Sequence, residues 1–358
     1  MKIIKNFPKY LGTSLIVLTV IFLAIELSVY GSLLASLTEG MPMLSQVYVL
    51  RSLFFIVASA ITIALIHQHA VSRQQILTKQ KPWSKGQQTT AWASLFAVFL
   101  SLGLLFLRPA TFSYLVREDV FVEPLSALLF FASSAILISQ IRKAHHQRIS
   151  NSYFVVAGLC ILAVIFFLIA MEEVSWFQRV AGFETPDAFS RNLQGEFNLH
   201  NFATNKVEYA FYLGTFLYLI VLPFLHLTSV LPKRFKGLEN FIGGSFTLCL
   251  SSIFIAYNYD MWNAFLTQVP YSLTIFMLLS LCVLSRPVQI KRAFAIFIIT
   301  LLITQGVFLY LGHTMPRIWD ATEYKEGFIA FGFFLYSLNV RHNLSLYRDQ
   351  IVTEIEAT

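Results

Sequence analysis

The chain has 358 residues, of which 56% are hydrophobic and 13% are charged, and its mean hydropathy is +0.66. A soluble globular domain carries about 25% charged residues, so this composition excludes a soluble enzyme, a disordered protein and a disulfide-stapled secreted domain. The formal net charge of +7 does not indicate nucleic-acid binding, because the basic residues lie in short loops between apolar runs.

Ten apolar runs divide the chain from end to end, and a bilayer is crossed by a helix of about 20 such residues. The runs do not alternate between apolar and polar residues as the strands of a membrane barrel do. We therefore predict an all-α fold, a polytopic integral membrane bundle of about ten transmembrane helices. The predicted spans are 10–34, 47–67, 91–107, 121–141, 153–172, 207–230, 241–257, 270–285, 293–312 and 327–340.

The orientation of the bundle follows from its basic residues. Eighteen of the 26 Lys and Arg residues lie in the N-terminus, the C-terminal tail and every second connection between spans. The positive-inside rule therefore predicts that both termini are cytoplasmic, and we expect the protein in the bacterial inner membrane. We predict one bundle over residues 1–340 and a cytoplasmic tail over 341–358. The outer loop 173–206 is expected to carry a short interfacial helix, because Trp176–Phe183 has an amphipathic pattern.

Acidic residues gather on the predicted outer side, where 14 of the 19 Asp and Glu residues lie, and two histidines accompany them. Carboxylates and imidazoles at one face can act as general acids and bases or bind a divalent metal ion. We predict the candidate catalytic residues Glu172, Glu173, Glu196, His200, Asp119 and Glu123. A divalent metal ion is the candidate cofactor, and its candidate ligands are Glu172, Glu196, His200 and Glu326.

Several of these residues also have a structural interpretation. Asp119 and Glu123 are four residues apart, so a helix would place both carboxylates on one face, where they could instead cap the start of the fourth span. Glu196 and His200 could be hydrogen-bonded within their loop. Glu26 and a basic residue in the second span, Arg51, are expected to form an ion pair within the membrane.

Two blocks of the outer loop resemble a family signature. The first block is Glu172-Glu173-Val174-Ser175-Trp176-Phe177-Gln178-Arg179, and the second is Asn192-x-Gln-x-Glu-x-Asn-x-His200-Asn201. They are similar to a pattern found in bacterial multi-pass membrane proteins of uncharacterised function, which often read Glu-Glu-Ile-Ser-Trp-Gly-Gln-Arg in the first block. Phe177 stands where that pattern has glycine. The resemblance implies a membrane fold but no particular activity.

Three functions fit these observations. The first is a membrane enzyme that acts on a lipid or lipid-linked substrate at the outer leaflet, using the outer carboxylates and His200. The second is a transporter or channel, which predicts polar residues and interrupted helices near the bilayer midplane. The third is a structural subunit of a cell-envelope complex, with the outer loops as the surface that contacts the partner. In each case, membrane lipids are the expected surroundings.

Overall fold

The computed structural model of the protein describes residues 13–14, 16–18, 20–28, 31, 40–73, 80–146, 152–189, 191–192, 195–231 and 238–356. The fold is 80% helical, and no strand occurs within these ranges. Eight of the described helices are long and apolar enough to cross a membrane, which confirms the prediction of an all-α, multi-pass membrane fold. These eight match the second to the ninth predicted spans. The first predicted span lies partly outside the described residues.

The helices follow one another in the order of the predicted spans, with short 3₁₀ segments at several ends. A π-helical turn, Leu217–Val221, interrupts the helix Thr204–Leu227 without ending it. The helices are α1 (16–18 and 20–28), α2 (Gln46–Arg73), α3 (Lys85–Leu107), α4 (Pro109–Leu115), α5 (Val122–His146), α6 (Ser152–Glu173), α7 (Gln178–Ala181), α8 (Thr204–Leu227), α9 (Ser245–Ser251), α10 (Phe265–Leu284), α11 (Val288–Leu311) and α12 (Asp320–Glu356).

Alternate connections between the helices meet at one end of the bundle. Arg317 Nη2 donates to the Val116 carbonyl at 3.1 Å, and Thr322 Oγ1 donates to Asp260 Oδ1 at 2.7 Å. These contacts tie together three loops that are far apart in sequence. We call this the acidic end of the bundle; it comprises the connections 40–45, 108–121, 174–203, 257–264 and 312–319.

The remaining described connections meet at the opposite end. The Gly244 N–H donates to Asn339 Oδ1 at 2.8 Å, and the Trp83 N–H donates to Gln289 Oε1 at 3.0 Å. Since α12 begins at the acidic end and carries Asn339 at the other, it runs the whole length of the bundle. This helix is nevertheless more polar than the eight candidate spans. It also continues as one helix past residue 340, so the predicted tail begins inside a helix.

The short helix α9 lies at the centre of the bundle. Its span, Leu238–Ala256, is 72% buried over its most apolar stretch, against 28–50% for the other seven candidates. The helix changes to a 3₁₀ segment at Ser252–Ala256 and then to an irregular loop. That loop carries Asn258 and Asp260, whose residues are each only 1% exposed. Polar side chains are therefore brought into the interior at the acidic end.

The predicted ion pair within the membrane is confirmed. Arg51 Nε donates to Glu26 Oε1, and both side chains are fully buried. Arg51 also donates from Nη1 to the Asn263 carbonyl at 2.8 Å and lies 4.8 Å from the centroid of the Phe55 ring. The pair thus joins α1 and α2 to the loop that follows α9.

The loop between α6 and α8 contains one short helix, as expected, but it is smaller than the amphipathic pattern suggested. Among the described residues of this loop, only Gln178–Ala181 is α-helical, because the residues before it adopt a different backbone conformation. Val180 in this helix is 84% exposed.

Candidate functional site

The chain turns sharply where α6 ends. Ser175, Trp176 and Phe177 have φ angles of 43°, 54° and 59°, a left-handed conformation that costs about 1–2 kcal/mol per non-glycine residue. Trp176 Nε1 donates to Glu172 at 2.8 Å, and the Phe177 N–H donates to the Val174 carbonyl at 2.8 Å, which holds the turn. Phe177 thus adopts the backbone conformation that glycine favours, at the position where the resembled pattern has glycine.

The turn places Arg179 among four carboxylates. Its guanidinium lies 2.9 Å from Asp119 Oδ2, 3.3 Å from Glu118 Oε2 and 3.6 Å from Glu123 Oε1, and it also donates to Glu196. We call these five residues the Arg179 group. Burial disfavours the charged guanidinium, but hydrogen bonds to Glu196 and Asp119 outweigh this effect and raise the pKa of Arg179. Arg179 therefore stays charged and draws three segments together.

The side chain and the backbone of Glu196 both form several hydrogen bonds. Besides Arg179, its carboxylate accepts hydrogen bonds from Ser175 Oγ at 2.7 Å and from Asn198 Nδ2 at 3.1 Å. Its backbone is held as well: the Glu196 N–H donates to Asn192 Oδ1 at 3.1 Å, and Asn192 Nδ2 donates to the Glu196 carbonyl at 2.6 Å. A carboxylate with this many fixed partners stabilises the loop.

Other signature residues serve the same loop. Gln178 Oε1 accepts a hydrogen bond from the Phe197 N–H at 2.6 Å, and its Nε2 donates to Thr185 Oγ1 at 2.7 Å. Thr185 Oγ1 in turn donates to the Gly195 carbonyl at 2.5 Å. The two signature blocks are therefore joined by direct hydrogen bonds, and the signature describes a folded loop.

Replacing Arg179 by Met is expected to lower the stability of the protein by about 2 kcal/mol, or about 5 °C in apparent melting temperature. The variant loses the cation that four carboxylates share. The loss of stability is smaller than the roughly 3–5 kcal/mol expected when a fully buried ion pair is broken, because the Arg179 side chain is 25% exposed. The measurement is thermal unfolding in detergent. Arg191→Met, at an exposed position in the same loop, is the control and should cause little change. Equal melting temperatures for the two variants would contradict this role.

A second set of carboxylates lies beside the first. It consists of Glu173 at the end of α6 and of Glu323 and Glu326 in the first two turns of α12; we call these three residues the carboxylate group. Glu326, Glu123 and Glu323 are the electrostatic neighbours of Glu173, and all of them are acidic. Tyr212 Oη donates to Glu326 Oε1 at 2.5 Å. The side chains of Glu173 and Glu323 form no hydrogen bond or ion pair with any residue that the structure describes.

The surroundings of Glu323 favour its protonated form. Burial is the main cause, and it raises the pKa of Glu323 well above its usual value near 4.5; Glu326 adds to the effect, and Arg317 opposes it. Two further acids, Glu208 and Glu123, also raise this pKa. One carboxyl of the group is thereby held neutral at a pH at which an exposed glutamate is ionised.

Glu323→Gln is expected to raise the apparent melting temperature, and to raise it more at pH 8 than at pH 4.5. The folded protein holds the Glu323 proton more tightly than the unfolded chain, so the stability contributed by Glu323 falls as the pH rises from 4.5 through the raised pKa. The neutral amide removes this loss. Thermal unfolding over a pH series measures it, with the exposed Glu184→Gln as control. A gain that does not depend on pH would contradict the assignment.

The structure assigns four of the six predicted catalytic residues to these two groups. Asp119, Glu123 and Glu196 meet at Arg179, whereas Glu173 belongs to the carboxylate group together with the predicted metal ligand Glu326. Glu123 lies between the two groups, since it is close to both Arg179 and Glu173. The sixth residue, His200, begins the 3₁₀ segment His200–Phe202, but its side chain lies outside the described residues.

One local prediction needs correction. Asp119 and Glu123 do not share a helical face, because Asp119 has a φ of 60° and precedes α5; the Asp119 N–H instead donates to Glu123 Oε2 at 2.9 Å, which caps the helix. Glu172 is held by the turn after α6 and by the following loop. It accepts hydrogen bonds from Trp176 Nε1 and from the Leu199 N–H at 2.6 Å.

The three candidate metal ligands whose side chains the structure describes are not gathered into one cluster. Within the described ranges, no group of three or more His, Cys, Asp and Glu side chains could hold a metal ion. Glu172, Glu196 and Glu326 are bonded to Trp176, Arg179 and Tyr212 respectively. A metal site that includes His200 stays a prediction, because the position of that side chain is not described.

Sequence reasoning missed three residues at the acidic end. Arg179 was part of the signature, but its four acidic partners come from distant loops. Lys325 was detectable, because it is one of the few basic residues on the predicted outer side and directly precedes Glu326. Tyr212 lies within an apolar span, and no local pattern distinguishes it from a packing residue.

The two groups differ in what they can do chemically. The Arg179 group shares one cation and is fixed by hydrogen bonds. In the carboxylate group, by contrast, Glu173 and Glu323 form no side-chain hydrogen bond or ion pair with any described residue. No protein-family model, no curated protein and no solved structure matches the chain.

Proposed function

We propose that the protein is a bacterial inner-membrane enzyme that acts on a lipid or lipid-linked substrate at the outer leaflet, with the carboxylate group as its acid/base machinery. The observation that carries the proposal is the pair Glu173 and Glu323, two half-buried carboxylates that lack a hydrogen-bond or ion-pair partner in the described structure. Exposed acids are solvated and structural acids are paired, so a half-buried acid without a described partner is typical of a functional site.

The proposed topology places this group outside the cell. We propose ten spans with both termini in the cytoplasm, in which α12 supplies the tenth span because it runs from the acidic end to the opposite end. The uneven distribution of basic residues supports this orientation. The resemblance of the signature to bacterial membrane proteins supports the cellular location.

The chemistry follows from the unequal surroundings of the carboxylates. A carboxyl held neutral, such as Glu323, can donate a proton to a leaving group, and an ionised neighbour can accept one from an attacking hydroxyl or water. Tyr212 orients Glu326 through a 2.5 Å hydrogen bond. A substrate headgroup bound between α6 and α12 would therefore meet an acid and a base together.

Untargeted mass spectrometry tests the proposal. Purified protein in lipid nanodiscs is incubated with a total bacterial lipid extract that contains polyprenyl-linked sugars, and consumed and formed lipids are identified. The control is Glu173→Gln/Glu323→Gln/Glu326→Gln, which keeps the shapes of the side chains. We expect mass changes that the wild type produces and the triple variant does not. Identical lipid profiles for the two proteins would overturn the proposal.

Transport is the second candidate, favoured by the backbone at the centre of the bundle. Helix α9 is broken at Ser252, and α8 contains the π-helical turn Leu217–Val221; interrupted helices of this kind line substrate paths in transporters. Solute flux into proteoliposomes without any change in lipid composition would favour transport over the enzyme.

A further inference from the structure

The short helix α7 turns its polar side chains toward the protein and its apolar ones outward. Gln178 is only 9% exposed and is bonded to the Phe197 N–H and to Thr185 Oγ1. Arg179 is directed to its carboxylate partners, whereas Val180, the next residue, is 84% exposed. A surface helix in water does the reverse, since it exposes its polar face and buries its apolar one. The outward side of α7 therefore suits apolar surroundings.

The same pattern extends over the residues on either side of Val180. Phe177, directly before α7, is 43% exposed, and Ala181, the last residue of the helix, is exposed as well. Within 177–181 the exposed side chains are thus the three apolar ones. We call Phe177, Val180 and Ala181 the apolar face of α7.

Phe177 packs beside α5 and α6, closer to the middle of the bundle than the ends of these helices. Its ring is stacked on that of Phe131, with centroids 6.2 Å apart and an angle of 6° between the planes, and Phe131 contacts Phe167 at 5.8 Å. Phe167 lies six residues before α6 ends, and Phe131 lies nine residues after α5 begins. At 1.5 Å per residue, these intervals correspond to about 9 Å and about 13 Å of helix. The chain thus turns back along the two spans after α6.

The surface next to Phe177 is the side of α6 that faces lipid. In this candidate span, Phe167 is 45% exposed, and Val164 and Leu168 are 56% and 43% exposed. Apolar side chains that are exposed along a membrane-spanning helix contact lipid acyl chains. The apolar face of α7 continues this surface through the contact of Phe177 with Phe131, so acyl chains fit both.

We propose that the apolar face of α7 is inserted among the lipid acyl chains of the leaflet at the acidic end and anchors the loop 174–203 in the membrane. The position of Arg179 agrees with this arrangement. A long basic side chain close to the membrane boundary places its charge in the polar layer, and Arg179 reaches Asp119 and Glu123 where α5 begins. The anchor does not depend on whether the protein is an enzyme or a transporter.

The first measurement is the surroundings of a nitroxide spin label at Val180→Cys, in a chain in which Cys160 and Cys282 are replaced by alanine. Paramagnetic resonance in phosphatidylcholine nanodiscs gives the collision rates of the label with oxygen and with a polar nickel chelate. We expect their ratio to be at least about tenfold higher than for a label at Glu184, an exposed position in the same loop, because hydrocarbon excludes polar solutes by more than this factor. A label at Val164 is the reference for a site that faces lipid.

Two results would overturn the proposal. A ratio at Val180 equal to that at Glu184 would show that α7 lies in water. A label at Val180 that neither oxygen nor the nickel chelate reaches would show that a protein surface, from a partner or a second copy of the chain, covers the apolar face.

A second measurement uses the wild type and so does not depend on how a variant folds. The nanodiscs contain a phosphatidylcholine with a trifluoromethylphenyl diazirine on its acyl chain, and mass spectrometry locates the adducts formed on illumination. The tryptic peptide 180–191 carries Val180 and Ala181 together with the exposed acids Glu184 and Asp187, which serve as an internal control. We expect adducts at Val180 or Ala181 and none at the two acids. A peptide without adducts at Val180 and Ala181, in a sample in which Val164 or Leu168 of α6 is labelled, would contradict the anchor.

Discussion

Glu326→Gln is expected to reduce the turnover of the lipid substrate by about 10²–10⁴-fold, the usual contribution of a general acid or base. The amide has the shape of the carboxyl and can still accept the hydrogen bond of Tyr212 Oη, so the fold should persist, but it cannot exchange a proton. The measurement is the initial rate with the lipid identified by mass spectrometry. The rate should fall with little change in apparent melting temperature.

The control for this prediction lies in the same region. Glu118→Gln removes a carboxylate from the Arg179 group whose side chain is 55% exposed, and it should leave the rate nearly unchanged. If Glu326→Gln were as active as Glu118→Gln, the carboxylate group would not be the acid/base machinery.

Glu26→Leu is expected to destabilise the protein by about 3–5 kcal/mol, because it leaves the Arg51 guanidinium buried without its counter-ion. The double variant Glu26→Leu/Arg51→Met should recover most of this loss, since two apolar side chains fill the same space without an unpaired charge. Thermal unfolding of the wild type, both single variants and the double variant forms a complete double-mutant cycle. Strictly additive losses would show that the pair is not coupled.

The fold could be predicted from the sequence because its main signal is local. Each apolar run of about 20 residues identifies its own span, and eight of the ten predicted spans correspond to long apolar helices. The last span was harder, because α12 carries polar residues from Asp320 to Glu356 and its length is set by packing against other helices. The Glu26–Arg51 pair was also predictable, since two opposite charges within neighbouring apolar runs have few other ways to be stabilised.

The candidate site could be predicted only in outline. The sequence located the acids on one side of the bundle, but it could not separate paired from unpaired carboxylates. That distinction depends on Arg179, which reaches Asp119 and Glu123 across more than fifty residues of chain. The left-handed turn at Ser175–Phe177, which positions Arg179, could not be predicted, because none of the residue types that occupy it indicates a left-handed backbone.

The central claim is that the Arg179 group holds the loop and that the carboxylate group performs the chemistry. Measuring apparent melting temperature and turnover per folded molecule for Glu196→Gln and Glu326→Gln, side by side, tests it most directly. We expect Glu196→Gln to unfold at a lower temperature but to keep its turnover, and Glu326→Gln to keep its melting temperature but to lose turnover. Loss of turnover in Glu196→Gln at an unchanged melting temperature, with Glu326→Gln fully active, would contradict the account.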